Sequence, residues 1–107
     1  MKIKNENILL VPSKIKGEKK INITLRNELT IYSIESVKDK IFDAVKDYEQ
    51  IIFDIKDVKN MDLSFVQLLY SVKITADTLN KKISFNVNLS DDIKTLFTNS
   101  DLSKVLI

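Results

Sequence analysis

The sequence predicts a single α/β domain over residues 1–107, with a mixed sheet of about four strands and helices packed against it. Short apolar runs bounded by polar residues predict strands, and longer segments with apolar residues about 3.6 positions apart predict helices. The predicted order, ββ-α-β-α-β-α, contains strand-helix-strand units, which require mostly parallel pairing and right-handed crossovers. A length of 107 residues is normal for one domain.

Four segments have the composition of strands: residues 8–11, 21–25, 50–55 and 83–87. Pro12 ends the first strand and Gly17 marks a turn before the second, so these two strands are expected to pair as a hairpin. The third strand is followed by the polar residues 56–60, which we interpret as a hinge that leads to a helix.

The first predicted helix runs from Ile34 to about Asp47, and Ser33 is expected to cap it. Phe42 lies off its apolar face and is expected to pack against a neighbouring element. The residues at helical spacing on that face are Ile34, Val37, Ile41, Ala44, Val45 and Tyr48.

The second helix is predicted to be the longest, from Asp62 or Leu63 to about Asn80, with the Asp62 carboxylate accepting N–H groups of the first turn. Its predicted core face consists of Phe65, Leu68, Leu69, Val72, Ala76 and Leu79. A second apolar stripe consists of Leu63, Val66, Tyr70 and Ile74. This stripe either packs between other helices on the sheet or fits a partner's groove.

A short third helix is predicted after Ser90, with Asp91 and Asp92 in its first turn, where the helix dipole favours acids. The final residues, 101–107, are expected to dock onto the core through Leu102, Val105 and Leu106.

The composition argues against several kinds of catalytic site. The chain has neither His nor Cys, which removes the usual general base and the usual thiol nucleophile. Gly17 is the only Gly, whereas phosphate-cradling loops need several. Asp54, Asp57 and Asp62 are close in sequence, but positions in a strand, a turn and a helix cap account for them without a cation. We therefore expect no enzymatic activity, no metal site and no cofactor.

The charge pattern argues against nucleic-acid binding. The net charge is +2, positive and negative residues are interspersed, and Arg26 is the only Arg. Apolar runs stay well short of the ~18 residues of a membrane span, so we expect no direct membrane insertion. One lysine cluster surrounds Gly17, and it is either a solvated hairpin loop or a contact for an anionic partner: Lys14, Lys16, Lys19 and Lys20.

The N-terminal end of the second helix is the candidate functional surface, because free N–H donors and the helix dipole favour anions there. The residues around it resemble the STAS domain, the fold of bacterial anti-sigma-factor antagonists. The resemblance extends from about Ile21 to the C-terminus and rests on the order and spacing of several short segments. They are Glu28-Leu29-Thr30, Ile52-Phe53-Asp54-Ile55-Lys56-Asp57-Val58, Met61-Asp62-Leu63-Ser64, Leu68-Leu69, Leu96-Phe97 and Leu102.

This resemblance implies a phosphorylation motif from which the chain departs. In the family, the strand-to-helix turn reads Asp, a hydroxyl residue that a partner kinase phosphorylates, a second small hydroxyl residue and Gly. Asp62 matches the Asp, Leu63 replaces the acceptor, Ser64 matches the second hydroxyl and Phe65 replaces the Gly. Ser64 is therefore the remaining candidate for phosphorylation, but the alternative that we favour is a hydroxyl that hydrogen-bonds within the first helical turn.

The function that the resemblance implies is that of a cytoplasmic, bacterial, non-enzymatic regulatory module that binds a protein. The implied partner is an anti-sigma factor or kinase, or a chemotaxis component. The alternative is a cytoplasmic STAS subunit of a lipid-transport ABC complex, which binds the ATPase. The implied partner-binding residues are Glu28, Thr30, Asp62, Leu63, Ser64, Val66, Gln67 and Tyr70.

Overall fold

The computed structural model describes residues 7–92 of the chain. Within this range the elements are β1 (Ile8–Pro12), β2 (Lys20–Leu29), α1 (Ile31–Asp47), β3 (Gln50–Met61), α2 (Leu63–Thr78) and β4 (Lys82–Val87). The predicted element order is confirmed up to β4. Residues 91 and 92, which follow Ser90, are helical, and the rest of the predicted third helix and the tail lie outside the described residues.

The predicted mixed sheet is confirmed, with four strands in the order β1-β2-β3-β4. β1 pairs with β2 antiparallel, while β2, β3 and β4 are parallel to one another. Both helices contact the sheet and each other, α1 mainly over β2 and α2 over β4. The domain core lies between this helix pair and one face of the sheet.

The core is built from layers of residues that lie side by side on the parallel strands. The central layer joins Ile23, Phe53 and Phe85, and the two Phe rings stack with their centroids 5.1 Å apart. A stacked aromatic pair adds about 0.5–1.5 kcal/mol to the free energy of unfolding, beyond the effect of the apolar area that it buries. Phe42 packs partly buried against this core, as predicted.

The third strand is longer than predicted, and the predicted polar hinge is part of it. β3 continues to Met61 and pairs with β2 through Leu29, so residues 56–60 do not interrupt the strand. Two register shifts occur where β3 carries more residues than β2, and Asp57 has a φ of 54° there. Asp57 therefore belongs to a β-bulge and not to a turn. A bulge leaves its extra residue unpaired and increases the local twist of the strand. The polar composition of residues 56–60 is therefore compatible with a strand that contains bulges.

The first helix begins earlier than predicted. Its N-cap is Thr30, its first residue is Ile31, and Ser33 lies in the first turn. The Ser33 hydroxyl accepts a hydrogen bond from the Thr30 N–H at 3.1 Å, so it contributes to the cap without being the N-cap residue. The resulting α1 has 17 residues and is one residue longer than α2, which was predicted to be the longer helix.

The second helix ends at Thr78, before the predicted end, and this changes the environment of Leu79. Leu79 is the C-cap residue, and its side chain is 44% exposed instead of facing the core. The remainder of the predicted core face is buried, namely Phe65, Leu68, Leu69, Val72 and Ala76.

The sheet face opposite the core-facing layers carries a polar ladder centred on Asp54. The Asp54 carboxylate accepts hydrogen bonds from the side-chain amides of Asn22 on β2 and Asn86 on β4. The Asn86 and Asn22 amides lower the pKa of Asp54, burial opposes this shift, and the charge of Lys56 adds to it. Asp54 thus links three parallel strands and stays ionised more readily than an ordinary aspartate.

Asp54→Asn should reduce stability most at neutral pH. Because the folded-state pKa is lowered, the charged carboxylate stabilises the fold above the ordinary aspartate pKa of about 4, and this contribution is lost as the pH falls below it. Urea-unfolding midpoints measured from pH 7 to pH 3 should therefore converge for the two proteins. Asp39→Asn, which removes an exposed carboxylate of α1, is the control. A gap between wild type and Asp54→Asn that does not change with pH would contradict this role.

Candidate functional site

Both helices begin side by side at one edge of the sheet. The last register pair of the parallel strands joins Leu29 to Met61, and the Asp62 N–H donates to the Leu29 carbonyl oxygen at 3.1 Å. Two residues after each member of this pair, α1 begins at Ile31 and α2 at Leu63. In open α/β sheets, this carboxyl edge of the parallel strands is where binding sites usually form.

One carboxylate caps both helices. Asp62 Oδ1 accepts a hydrogen bond from the Phe65 N–H at 3.1 Å, as predicted for the cap of α2. Asp62 Oδ2 accepts a second hydrogen bond from the Ile31 N–H at 2.9 Å, in the first turn of α1. Asp62 is therefore the N-cap of its own helix and a tertiary cap of the other.

The same carboxylate balances the charge of both helix ends. A helix N-terminus carries roughly half a positive charge, so two adjacent N-termini amount to about one unit. Neither helix has an acidic residue in its first turn. Asp62 thus supplies the negative charge that both dipoles favour, and the remaining residues of the two first turns are free to be apolar.

Polar contacts fix the end of β2 beside the bridge that Asp62 forms between the two helices. The Asn60 side-chain amide donates to a Glu28 carboxylate oxygen at 3.1 Å, across the two strands. The Glu28 N–H donates to the Asn7 side-chain oxygen at 3.1 Å. Glu28 lies outside the predicted second strand, residues 21–25, but β2 extends to Leu29 and includes it, so only Thr30 lies between strand and helix.

Large apolar side chains are exposed around the bridge. Tyr32 is 93% exposed, Ile31 56% and Leu63 42%, and we call these three residues the apolar pole. Along α2, exposed residues continue from Leu63 at helical spacing through Gln67, Tyr70 and Ile74, and we call this row the α2 stripe. The pole and the stripe share Leu63.

Apart from Val66, the predicted partner-binding residues lie in three places. Asp62, Leu63 and Ser64 lie at the start of α2, and Glu28 and Thr30 lie at the end of β2. Gln67 and Tyr70 lie further along α2. Val66 is fully buried in the core and therefore offers no surface to a partner. The sequence grouped it with Leu63, Tyr70 and Ile74, but those three side chains are exposed whereas Val66 belongs to the buried core cluster.

Ile31 and Tyr32 were missed by the sequence analysis. With Ser33 taken as the cap, both residues were left outside the helix and drew no attention. The available signal was Thr30 followed three residues later by Ser33, since a hydroxyl residue at the cap and a polar side chain three residues on are typical of a capping box.

The Asp62 and Asp54 carboxylates are both engaged in hydrogen bonds within the protein. Both Asp62 oxygens already accept backbone N–H groups, and both Asp54 oxygens accept amide groups. Across residues 7–92, acidic side chains do not gather in a group that could hold a metal ion. Neither helix in the described part of the chain is long and apolar enough to cross a membrane.

Asp62→Ala should destabilise the domain more than the loss of a single cap would. One N-cap side chain contributes about 0.5–2 kcal/mol, so the loss of both hydrogen bonds should cost about 2 kcal/mol or more in free energy of unfolding. Asp62→Asn keeps one accepting oxygen and should fall between wild type and Asp62→Ala. Asp43→Ala, at an exposed position of α1, is the control, and its free energy of unfolding should change by less than ~0.7 kcal/mol. Urea denaturation measures all four proteins, and equal costs for Asp62→Asn and Asp62→Ala would contradict the two-helix cap.

Comparison with solved structures places the fold beside anti-sigma-factor antagonists. The anti-sigma factor antagonist SpoIIAA in its unphosphorylated form superposes with a TM-score of 0.69 at 20% identity, covering 94% of this chain and 85% of that one. The phosphorylated form of SpoIIAA, a Bacillus cell fate determinant, gives a TM-score of 0.65 at 20% identity, with 94% and 88% covered. The protein TM1081 gives 0.64 at 18% identity, with 99% and 85% covered. These likenesses show a shared fold.

Comparison with sequences gives the family. No curated protein sequence matches the chain. The family model described as "Mlab, STAS domain" matches residues 16–107, which is well over half of the chain. The fold and the family model agree, and the protein belongs to the STAS domain family.

Proposed function

We propose that this protein is a non-catalytic, cytoplasmic bacterial STAS module that regulates another protein by binding it through the apolar pole and the α2 stripe. Several large apolar side chains, Tyr32 above all, are exposed at one end of the domain and held there by a shared cap. Exposed aromatic and aliphatic clusters of this kind favour protein interfaces, whose centres are rich in Tyr and other apolar residues.

The observation that carries the proposal is the position of Leu63. It occupies the first residue of α2, is 42% exposed, and stands where the family resemblance implies a phosphorylated hydroxyl. A phosphate would add ~1.5–2 negative charges to the contact surface and release the partner. Leucine cannot accept a phosphate, so we propose that the contact is apolar and is not switched at this residue.

Ser64 follows Leu63 and is the candidate acceptor that remains. It is partly exposed in the first turn of α2, next to the Asp62 carboxylate that caps the helix. A phosphate there would place additional negative charge beside Asp62, in a place where one carboxylate already balances both helix ends. We propose that Ser64 contributes its hydroxyl to the surface and is not regularly phosphorylated.

The first candidate partner is an anti-sigma factor or its kinase, or a component of a chemotaxis complex. The fold likeness to the anti-sigma factor antagonist SpoIIAA supports it. The second candidate is the role of STAS subunit in a lipid-transport ABC complex, where the same helix end binds the ATPase. The absence of a phosphoacceptor at Leu63 favours this alternative, because a permanent subunit needs no release switch.

Leu63→Asp should weaken partner binding while the domain stays folded. An acid at the first turn of a helix is neutral or favourable by ~0.3–1 kcal/mol, so the melting temperature should change little. The charge would lie in the centre of an apolar contact, where an unpaired carboxylate is costly. The partner is captured from native lysate, identified by mass spectrometry, and its affinity is then measured for each variant.

Tyr32→Ser tests the same surface from the other helix, and Ile15→Asp is the matched control. Ile15 is 66% exposed in the hairpin between β1 and β2, at the opposite end of the sheet. Leu63→Asp and Tyr32→Ser should each lower affinity by about tenfold or more, a loss typical of an interface hot spot, whereas Ile15→Asp should not. A Leu63→Asp protein that melts as wild type and binds with unchanged affinity would remove the apolar pole from the interface.

The protein isolated from its native cells should carry no phosphate. Residue 63 has no hydroxyl, and Ser64 should be unmodified in most molecules. Intact-mass measurement, followed by peptide mapping of α2, tests this directly. Stoichiometric phosphoserine at Ser64 would restore a phosphorylation switch and contradict a constitutive contact.

A further inference from the structure

A cleft of about 420 Å³ lies at the end of the sheet opposite the apolar pole. Its walls come from three segments, residues 17–20 before and at the start of β2, 49–50 at the start of β3, and 79–82 from the end of α2 into β4. The parallel strands begin here, whereas both helices begin at the other end. The cleft and the apolar pole are therefore separate, and an inference about one does not depend on the other.

The lining of the cleft is rich in lysine. The four lysines exceed the two glutamates by two formal charges, and the cavity has the size of a small-molecule site, about 300–1,000 Å³. The charged residues of the lining are Lys19, Lys20, Lys81, Lys82, Glu18 and Glu49.

Two of these lysines are already engaged. Lys20 pairs with Glu18 at 3.8 Å, and Lys81 Nζ donates to the Lys46 carbonyl oxygen at 3.4 Å. Within the part of the chain that the structure describes, the ammonium groups of Lys19 and Lys82 make no ion pair or side-chain hydrogen bond. These two cations are available to a ligand.

The backbone holds the lysine-bearing segments in fixed positions. The Lys19 carbonyl oxygen accepts the Glu49 and Gln50 N–H groups at 2.9 and 3.1 Å, and the Glu49 carbonyl oxygen accepts the Lys82 N–H at 2.9 Å. In the sheet register, Gln50 lies between Lys20 and Lys82. Neighbouring strands are about 4.8 Å apart, so the Cα atoms of Lys20 and Lys82 are separated by roughly 10 Å. Lys19 directly precedes Lys20 and lines the same cleft as Lys82, so the long side chains of these two free lysines can approach a small anion from two sides.

Leu79 gives the cleft an apolar contact. It is 44% exposed because α2 ends at Thr78, and its side chain joins the lining beside the lysines. A site that combines cations with an apolar side chain suits an anion that carries an apolar or planar group. Lysine serves as a point charge for phosphate, and a phosphate monoester carries about two negative charges at neutral pH.

We propose that this cleft binds a small organic phosphate monoester, with the phosphate group between Lys19 and Lys82 and the organic group against Leu79. The sequence left two interpretations of the lysine cluster in the hairpin, a solvated loop or a contact for an anionic partner. We adopt the second interpretation and name the class of anion. An extended nucleic acid would need cations along a groove, whereas these lysines surround a single cavity.

The test is a titration of the amide NMR spectrum with phenyl phosphate and, separately, with inorganic phosphate, at constant ionic strength. Saturable shifts are expected at residues 18–20, 49–50 and 80–82, and phenyl phosphate should bind more tightly than inorganic phosphate. The double variant Lys19→Gln/Lys82→Gln should weaken binding of both probes by about tenfold or more. Leu79→Ser should remove the advantage of phenyl phosphate and leave inorganic phosphate unchanged.

The matched control is Lys14→Gln/Lys16→Gln, which removes the same charge from the same hairpin outside the cleft. Its affinity should stay within about twofold of wild type, because neither Lys14 nor Lys16 lines the cleft. Shifts that rise without saturation, or equal losses in the two double variants, would show general attraction of anions to a basic surface and would overturn the proposal.

Discussion

Helices α1 and α2 begin at one carboxylate. Asp62 binds the Phe65 N–H of its own helix and the Ile31 N–H of the other, which is 31 positions away in sequence. A single cap thereby fixes the relative position of α1 and α2 at the edge of the sheet, and its charge balances two helix ends at once. Because that requirement is met by one residue, Tyr32 and Leu63 can present apolar side chains where other helices would place polar ones.

The sheet sets the positions of both ends of the domain. The bulges in β3, where Asp57 adopts a positive φ, let two strands of different length finish together at Leu29 and Met61. At the other end, the same parallel register places Lys20 and Lys82 on either side of Gln50. The apolar pole and the basic cleft thus arise from opposite ends of one sheet, and the buried Phe53 layer lies between them.

Sequence patterns predicted the fold because buried apolar residues recur about every two positions in strands and every 3.6 positions in helices. They failed at residues 56–60, because these residues are mostly exposed and yet their backbone continues to pair with β2. They also misplaced Leu79, because a helical wheel does not say where the helix stops. Of the candidate site, Asp62 and Leu63 were predicted from a local cap signal. The contribution of Ile31 depends on a hydrogen bond to Asp62 that has no local signature.

Asp62 holds the first turn of α1, and amide hydrogen exchange at Ile31 tests this contact most directly. Asp62 is the acceptor assigned to this N–H, whereas the Phe65 N–H also lies near the Asp62 carbonyl oxygen at 3.2 Å. In Asp62→Ala, exchange at Ile31 should accelerate strongly relative to wild type, while the amide of Phe53 in the centre of β3 keeps the protection set by the remaining global stability. Unchanged exchange at Ile31 in a folded Asp62→Ala protein would contradict the shared cap.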